Sequence, residues 1–127
     1  MAGRITANKF ELEGKEYELP ANQGDIHLHG GKEGWDKKIW AAEEKEKPDA
    51  IGVKFSYFSQ HMEEQYPGNI QVSVTYWLTI DGTLELEYAA TTDQITVLNP
   101  TNHSYFNLSG DFTQTIRDRL GMSKLKS

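Results

Sequence analysis

The chain has 127 residues, 37% of them hydrophobic and 25% charged, with a formal net charge of −6 and no cysteine. It is long enough for one domain with its own core, and its composition is that of a soluble globular protein. The charge excludes a nucleic-acid surface built on phosphate contacts and an anionic membrane as partner. The missing cysteines exclude disulfides and thiolate metal sites and fit a cytoplasmic location.

The apolar runs are too short to span a bilayer, and Met1-Ala2-Gly3-Arg4 has no secretion pattern. Residues 9–19 carry a hairpin pattern, with Phe10, Leu12, Tyr17 and Leu19 alternating with Glu11, Glu13, Glu16 and Glu18. A two-residue loop at Gly14-Lys15 pairs Leu12 with Tyr17 and Phe10 with Leu19. It gathers the apolar side chains on one face and gives glycine the first central position of a type II′ turn. Residues 20–37 read as a loop punctuated by Pro20, Asn22, Gly24, Gly30, Gly31 and Gly34, with two histidines and Trp35 embedded in it. An ordered loop of that length is usually functional.

Ile39-Trp40-Ala41-Ala42 starts a strand, and residues 43–49, nearly all charged, read as a solvated turn. Ile51, Val53, Phe55 and Tyr57 alternate with polar or small residues, the pattern of a half-buried strand. A polar loop over residues 59–68 ends in Tyr66-Pro67-Gly68. The strongest strand follows, with Ile70, Val72, Val74, Tyr76 and Leu78 on one face. The next strand carries Leu84, Leu86 and Tyr88. A two-residue loop at Asp81-Gly82 would set Leu78 against Glu85 and oppose the two faces. A three-residue loop, Ile80-Asp81-Gly82, pairs Leu78 with Leu84, Tyr76 with Leu86 and Val74 with Tyr88, with Gly82 at the left-handed position of a G1 bulge. Ile95, Val97 and Asn99 begin a further strand leading to His103. The pattern is all-β and antiparallel, with the turn spacing of a sandwich or barrel. A single domain over residues 1–127 is expected. Its tail, residues 117–127, turns basic, and Ile116, Leu120 and Leu125 would line one face of a short helix.

Several groups of residues carry chemistry. His27 and His29 are two apart, which on a strand puts both on one face as some metal sites need. No third ligand is near, so two hydrogen-bonding loop histidines are the better reading. Gly30-Gly31-Lys32-Glu33-Gly34 lacks the Gly-Lys-Ser/Thr ending and strand-to-helix context of a phosphate loop. Its glycines let backbone approach a ligand or a strand. His103, taken singly, is a structural histidine. Its neighbours Asn102, Ser104 and Asn107 favour more, because such side chains orient an imidazole or bind a sugar hydroxyl. Trp35, Trp40, Trp77, Tyr105 and Phe106 offer stacking surfaces for a sugar, although aromatic residues on strands are mostly core.

Five motifs in order, from about residue 3 to residue 116, resemble those of the aldose 1-epimerases, or galactose mutarotases. They are Arg4-Ile5 with the hairpin that follows; His27-Leu28-His29-Gly30-Gly31 with Gly34-Trp35 and Trp40; Tyr66-Pro67-Gly68-Asn69; Glu87-Tyr88-Ala89-Ala90-Thr91-Thr92-Asp93; and Thr101-Asn102-His103-Ser104-Tyr105-Phe106-Asn107-Leu108.

The resemblance implies an antiparallel β-sandwich of the mutarotase type, present in part, that interconverts the α and β anomers of free hexoses such as galactose or glucose without cofactor or metal. It implies that His103 is the general acid that protonates the ring oxygen, and that His29 and Arg4 bind the sugar. Arg4 follows Gly3 where the family usually has asparagine. Family members extend before and beyond this chain, and their catalytic glutamate base and a sugar-binding aspartate have no counterpart here. The reading is therefore of a truncated or frame-shifted product or an excised piece, weak or inactive alone. The alternatives are a carbohydrate-binding remnant and a structural fragment without catalysis. The partners expected are a monosaccharide and a second copy of the chain, with no nucleic acid and no membrane.

Overall fold

Alternating apolar residues dominate the chain, and antiparallel strands are what they form. The computed structural model describes residues 1–107 and 109–113. Its strands are β1 (Arg4–Ile5), β2 (Lys9–Leu12), β3 (Lys15–Glu18), β4 (His27–Leu28), β5 (Ala41–Lys47), β6 (Ala50–Ser59), β7 (Ile70–Thr79) and β8 (Leu84–Thr92). Single 3-10 turns stand at Thr6–Asn8, Trp35–Lys37 and Glu63–Gln65. β5 to β8 form a four-stranded meander in sequence order, β2 pairs with β3, and β1 pairs with β4, all antiparallel. This is the expected all-β class. No helix among the described residues is long and apolar enough to cross a membrane.

The β7–β8 connection has the expected register: Leu78 faces Leu84, Tyr76 faces Leu86 and Val74 faces Tyr88. Gly82 sits at φ +81°, where a side chain would be strained. The first hairpin is corrected. Its loop is Glu13-Gly14, at φ 52° and 75°, a type I′ geometry. Phe10 therefore faces Tyr17, and Leu12 faces Lys15. Moving the loop by one residue shifts the pairing by two and leaves the faces unchanged, so face matching does not separate the two registers. Packing does: the Phe10 and Tyr17 rings stack at 5.3 Å, and Lys9 Nζ lies 2.8 Å from Glu16.

Two further expectations are corrected. Residues 43–47 belong to strand β5 rather than to a turn. It is an edge strand, and charge is what protects an edge from pairing with another chain. Residues 95–99 form no strand; Ile95 is 56% exposed, and the segment is tied instead to the N-terminus, where the Ala2 N–H donates to the Asn99 carbonyl at 2.7 Å. The expected helix face of Ile116, Leu120 and Leu125 lies outside the described residues.

The core gathers where the N-terminal strands meet one end of the large sheet. Leu19, Ile70 and Val72 are buried there, with His27 and Pro67. Tyr66 joins the layers, stacking on Phe10 at 6.0 Å and meeting His27 edge-on at 5.5 Å. At the opposite end the same apolar face is open. Ile51, Leu78 and Leu84 form one row across three strands and are 63%, 52% and 44% exposed.

Candidate active site

A cleft of about 660 Å³ opens over the middle of the apolar sheet face. Phe55, Val74, Tyr76 and Tyr88 form its floor, and His29 and His103 stand on its rim. Trp35 and Trp40 make an aromatic wall: their rings meet edge to face at 6.2 Å, and the Trp40 indole N–H donates to the Trp35 carbonyl at 3.0 Å. Size and character suit a small polar ligand with one apolar face.

Each histidine is placed by its own loop. β4 pairs with β1, and Asn22 clamps its end, accepting from the Leu28 N–H at 2.6 Å and donating to the Leu28 carbonyl at 2.9 Å. The chain then turns through His29 at φ 51°, followed by Gly30 and Gly31 at 85° and 101°. The backbones of Gly3 and His29 exchange a bond, His29 N–H to Gly3 carbonyl at 2.9 Å. The Gly3 N–H in turn donates to His29 Nδ1 at 3.2 Å. An amide N–H can only donate, so Nδ1 is the acceptor and the neutral ring carries its proton on Nε2.

His103 rides on an Asx-type turn. Asn102 accepts from the Ser104 N–H at 2.7 Å and donates through Nδ2 to the Tyr76 hydroxyl at 2.8 Å. That pins the motif to β7 and sets the two imidazoles edge to face, with centroids 5.2 Å apart at 85°. Tyr105 lies 5.7 Å beyond His103.

The other sequence-stated candidates are elsewhere. His27 is fully buried and does not line the cleft; its Nδ1–H donates to the Pro20 carbonyl at 2.8 Å, which makes it a structural histidine. Arg4 is exposed on β1 opposite Leu28 and is not among the residues lining the cleft, while its neighbour Ile5 pairs with His27. No group of three or more metal-ligating side chains occurs among the described residues.

Two charged lining residues, Asp36 and Lys38, were not anticipated. Their only signal is their place between Trp35 and Trp40 in the histidine-glycine loop. Lys38 reaches Glu63 at 3.2 Å, and Glu63 also accepts from the Tyr57 hydroxyl at 2.6 Å and from the Ser59 hydroxyl. Burial raises the Glu63 carboxyl, but these hydroxyls and the ammonium outweigh it and hold it below its ordinary range. Burial first, then the bond to Glu63 and its charge, push the Tyr57 phenol up to about 12.

Comparison with known proteins bears on the family and the fold. A family profile described as Aldose 1-epimerase matches residues 1–122. The chain is 45% identical over 121 residues to the galactose mutarotase of Rattus norvegicus, covering 93% of this chain and 33% of that protein. It is 46% identical over 110 residues to the aldose 1-epimerase of Haemophilus influenzae, covering 84% of this chain and 30% of that one. The crystal structure of a galactose 1-epimerase from Lactobacillus acidophilus superposes with a TM-score of 0.79 at 33% identity, over 85% of this chain and 32% of that one. The chain thus spans about a third of the length of the relatives it matches. The fold is of the galactose mutarotase type, and the chain belongs to the aldose 1-epimerase family.

Proposed function

We propose that this chain supplies the histidine side of a mutarotase site acting on a free hexose of the galactose or glucose type. The observation that carries the reading is the His29–His103 pair on the rim of an aromatic-walled cleft. Ring opening takes a proton from the anomeric hydroxyl as its oxygen becomes the carbonyl of the open chain. The bond between the anomeric carbon and the ring oxygen breaks, and the ring oxygen receives a proton. The reaction therefore wants a base and an acid on either side of the ring, each within hydrogen-bond reach. His103 is the acid toward the ring oxygen, and His29, donating through Nε2, binds a sugar hydroxyl. Arg4, on β1 beside the histidine loop, is kept as a further sugar-binding residue on the family resemblance alone, since it does not line the cleft among the described residues.

Asp36 is the one carboxylate lining the cleft among the described residues. Glu63 and Glu64 are engaged in other contacts, Glu63 with Tyr57 and Ser59, and Glu64 with the backbone of Glu33. These 127 residues by themselves are expected to be slow, since a positioned acid or base is worth roughly 10²–10⁴-fold. The test is polarimetry of fresh α-D-galactose with and without the protein. The expected result is little or no acceleration beside a complete relative, with any acceleration lost in His103→Ala. A rate matching a complete relative's would overturn the assignment of the base to residues outside this chain.

Self-association belongs to the same proposal. β8 is an edge strand whose last five residues, 88–92, carry no charge, whereas the opposite edge, β5, is strongly charged. The row of Ile51, Leu78 and Leu84 lies open beside it. An open edge and an exposed apolar row together favour a symmetric partner, here a second copy of the chain. The cysteine-free composition supports a cytoplasmic location.

A further inference from the structure

The segment around Glu64 is strained without an evident reason of its own. Met62, Glu64 and Gln65 have φ of 66°, 47° and 68°, a conformation that side-chain-bearing residues seldom adopt. Such strain persists only where the surroundings fix it. Here they do. Tyr57, Ser59 and Lys38 hold Glu63, and the Met62 N–H donates to the Tyr66 carbonyl at 2.8 Å. The outcome is a rigid hook that presents the Glu64 carboxylate to a loop over thirty residues earlier in the chain.

The carboxylate engages that loop at two points. Oε1 accepts from the Glu33 N–H at 2.7 Å. Oε2 occupies the space beside Gly31 so closely that a Cβ there would overlap it. Gly31 is also bonded back, its N–H donating to the Leu28 carbonyl at 3.1 Å, and the His29 carbonyl lies against Gly34. The turn from Leu28 to Gly34 is thus closed on itself and fastened from outside by one carboxylate. His29, at φ 51°, is the residue whose direction the turn decides.

We infer that Glu64 is a positioning residue: its carboxylate clamps the turn over Gly31 and Glu33 and so aims the His29 imidazole at the cleft. The value of the clamp for sugar binding rests on the reading of His29 given above, whereas its effect on the ring does not.

The experiment is a carbon–proton correlation spectrum of the four histidine rings, assigned by single substitutions, on wild type, Glu64→Ala, Glu64→Gln and Glu64→Asp. In Glu64→Ala the His29 signal should shift or broaden, with His103 following because their rings touch, while His27 and His61, which report on the hook itself, stay in place. Glu64→Gln keeps an acceptor oxygen of the same reach and should restore the wild-type signal. Glu64→Asp keeps the charge, falls short by a methylene and should resemble the alanine variant. If Glu64→Ala does not fold, the Gln and Asp variants decide the question alone. A galactose titration in parallel should show binding weakened several-fold in Glu64→Ala and Glu64→Asp and unchanged in Glu64→Gln. If wild type binds no sugar, the mutarotase reading fails while the ring signals still judge the clamp. Unmoved His29 signals in the Ala and Asp variants, or equal movement of all four histidines, would overturn the inference.

Discussion

The imidazoles of His29 and His103, seventy-four positions apart in sequence, meet edge to face with centroids 5.2 Å apart. Neither is held there by the other. His29 is fixed from Gly3 through its Nδ1, and His103 from Tyr76 through Asn102. Each ring can therefore be loosened from its own anchor, and the other reports the change through the ring contact.

Gly3 offers the first such disturbance. Its φ is +84°, and a Cβ there would meet nothing within 4 Å. A substitution is therefore limited by backbone conformation rather than by space. Gly3→Asn should be close to neutral, because asparagine tolerates the left-handed region. Gly3→Val should cost about 1–2 kcal/mol and loosen the His29 ring. Denaturant midpoints measure the first effect, and the histidine ring signals the second.

The Tyr57–Glu63 pair should make stability depend on pH at both ends. The Glu63 carboxyl is held below its ordinary range, so its contribution is present above the unfolded value of about 4.3 and is lost as pH falls through the lower folded value. Tyr57 is pushed up to about 12. Its contribution is full below the unfolded phenol value of about 10 and is lost as pH rises through the folded one. Denaturant midpoints at about pH 3, 7 and 11 should fall at both extremes in wild type. They should fall less steeply on the acid side in Glu63→Gln and on the alkaline side in Tyr57→Phe.

Association should depend on the open end of the sheet. Leu78→Lys, in the middle of the exposed row, should leave the fold intact and shift sedimentation at tens of micromolar toward monomer. A wild-type chain that sediments as a monomer there would count against the second copy as occupant.

Much of this was legible in the sequence because strand parity is a strict constraint. The offset between Leu78 and Leu84 admits a loop that keeps apolar faces together and excludes the two-residue alternative, and the register follows. Parity is silent where two registers share a face, which is why the Glu13-Gly14 turn lay one residue from its expected place. It is also silent on neighbours. Residues 95–99 alternate like a strand but pair with no strand among the described residues, whereas residues 43–47 look like a turn but find β6 beside them.

The site divides in the same way. His29 and His103 stand out by the polar and glycine residues around them in the chain. The Gly3 amide and the Glu64 clamp act across the fold on backbone and ring atoms of a distant loop, and no local spacing announces them; Asp36 and Lys38 have only their place between Trp35 and Trp40 to mark them. Arg4 was legible as a motif residue, yet its strand turns it to solvent.

The most direct measurement is a titration of the protein with D-galactose, followed through the ring signals of all four histidines. If the cleft is a sugar site, the His29 and His103 signals move together and saturate at one common concentration, while buried His27 stays fixed. In His103→Ala the His29 signal should still respond, but at higher sugar. Signals of His29 and His103 that stay still while galactose is raised well into the millimolar range would contradict a sugar site between them.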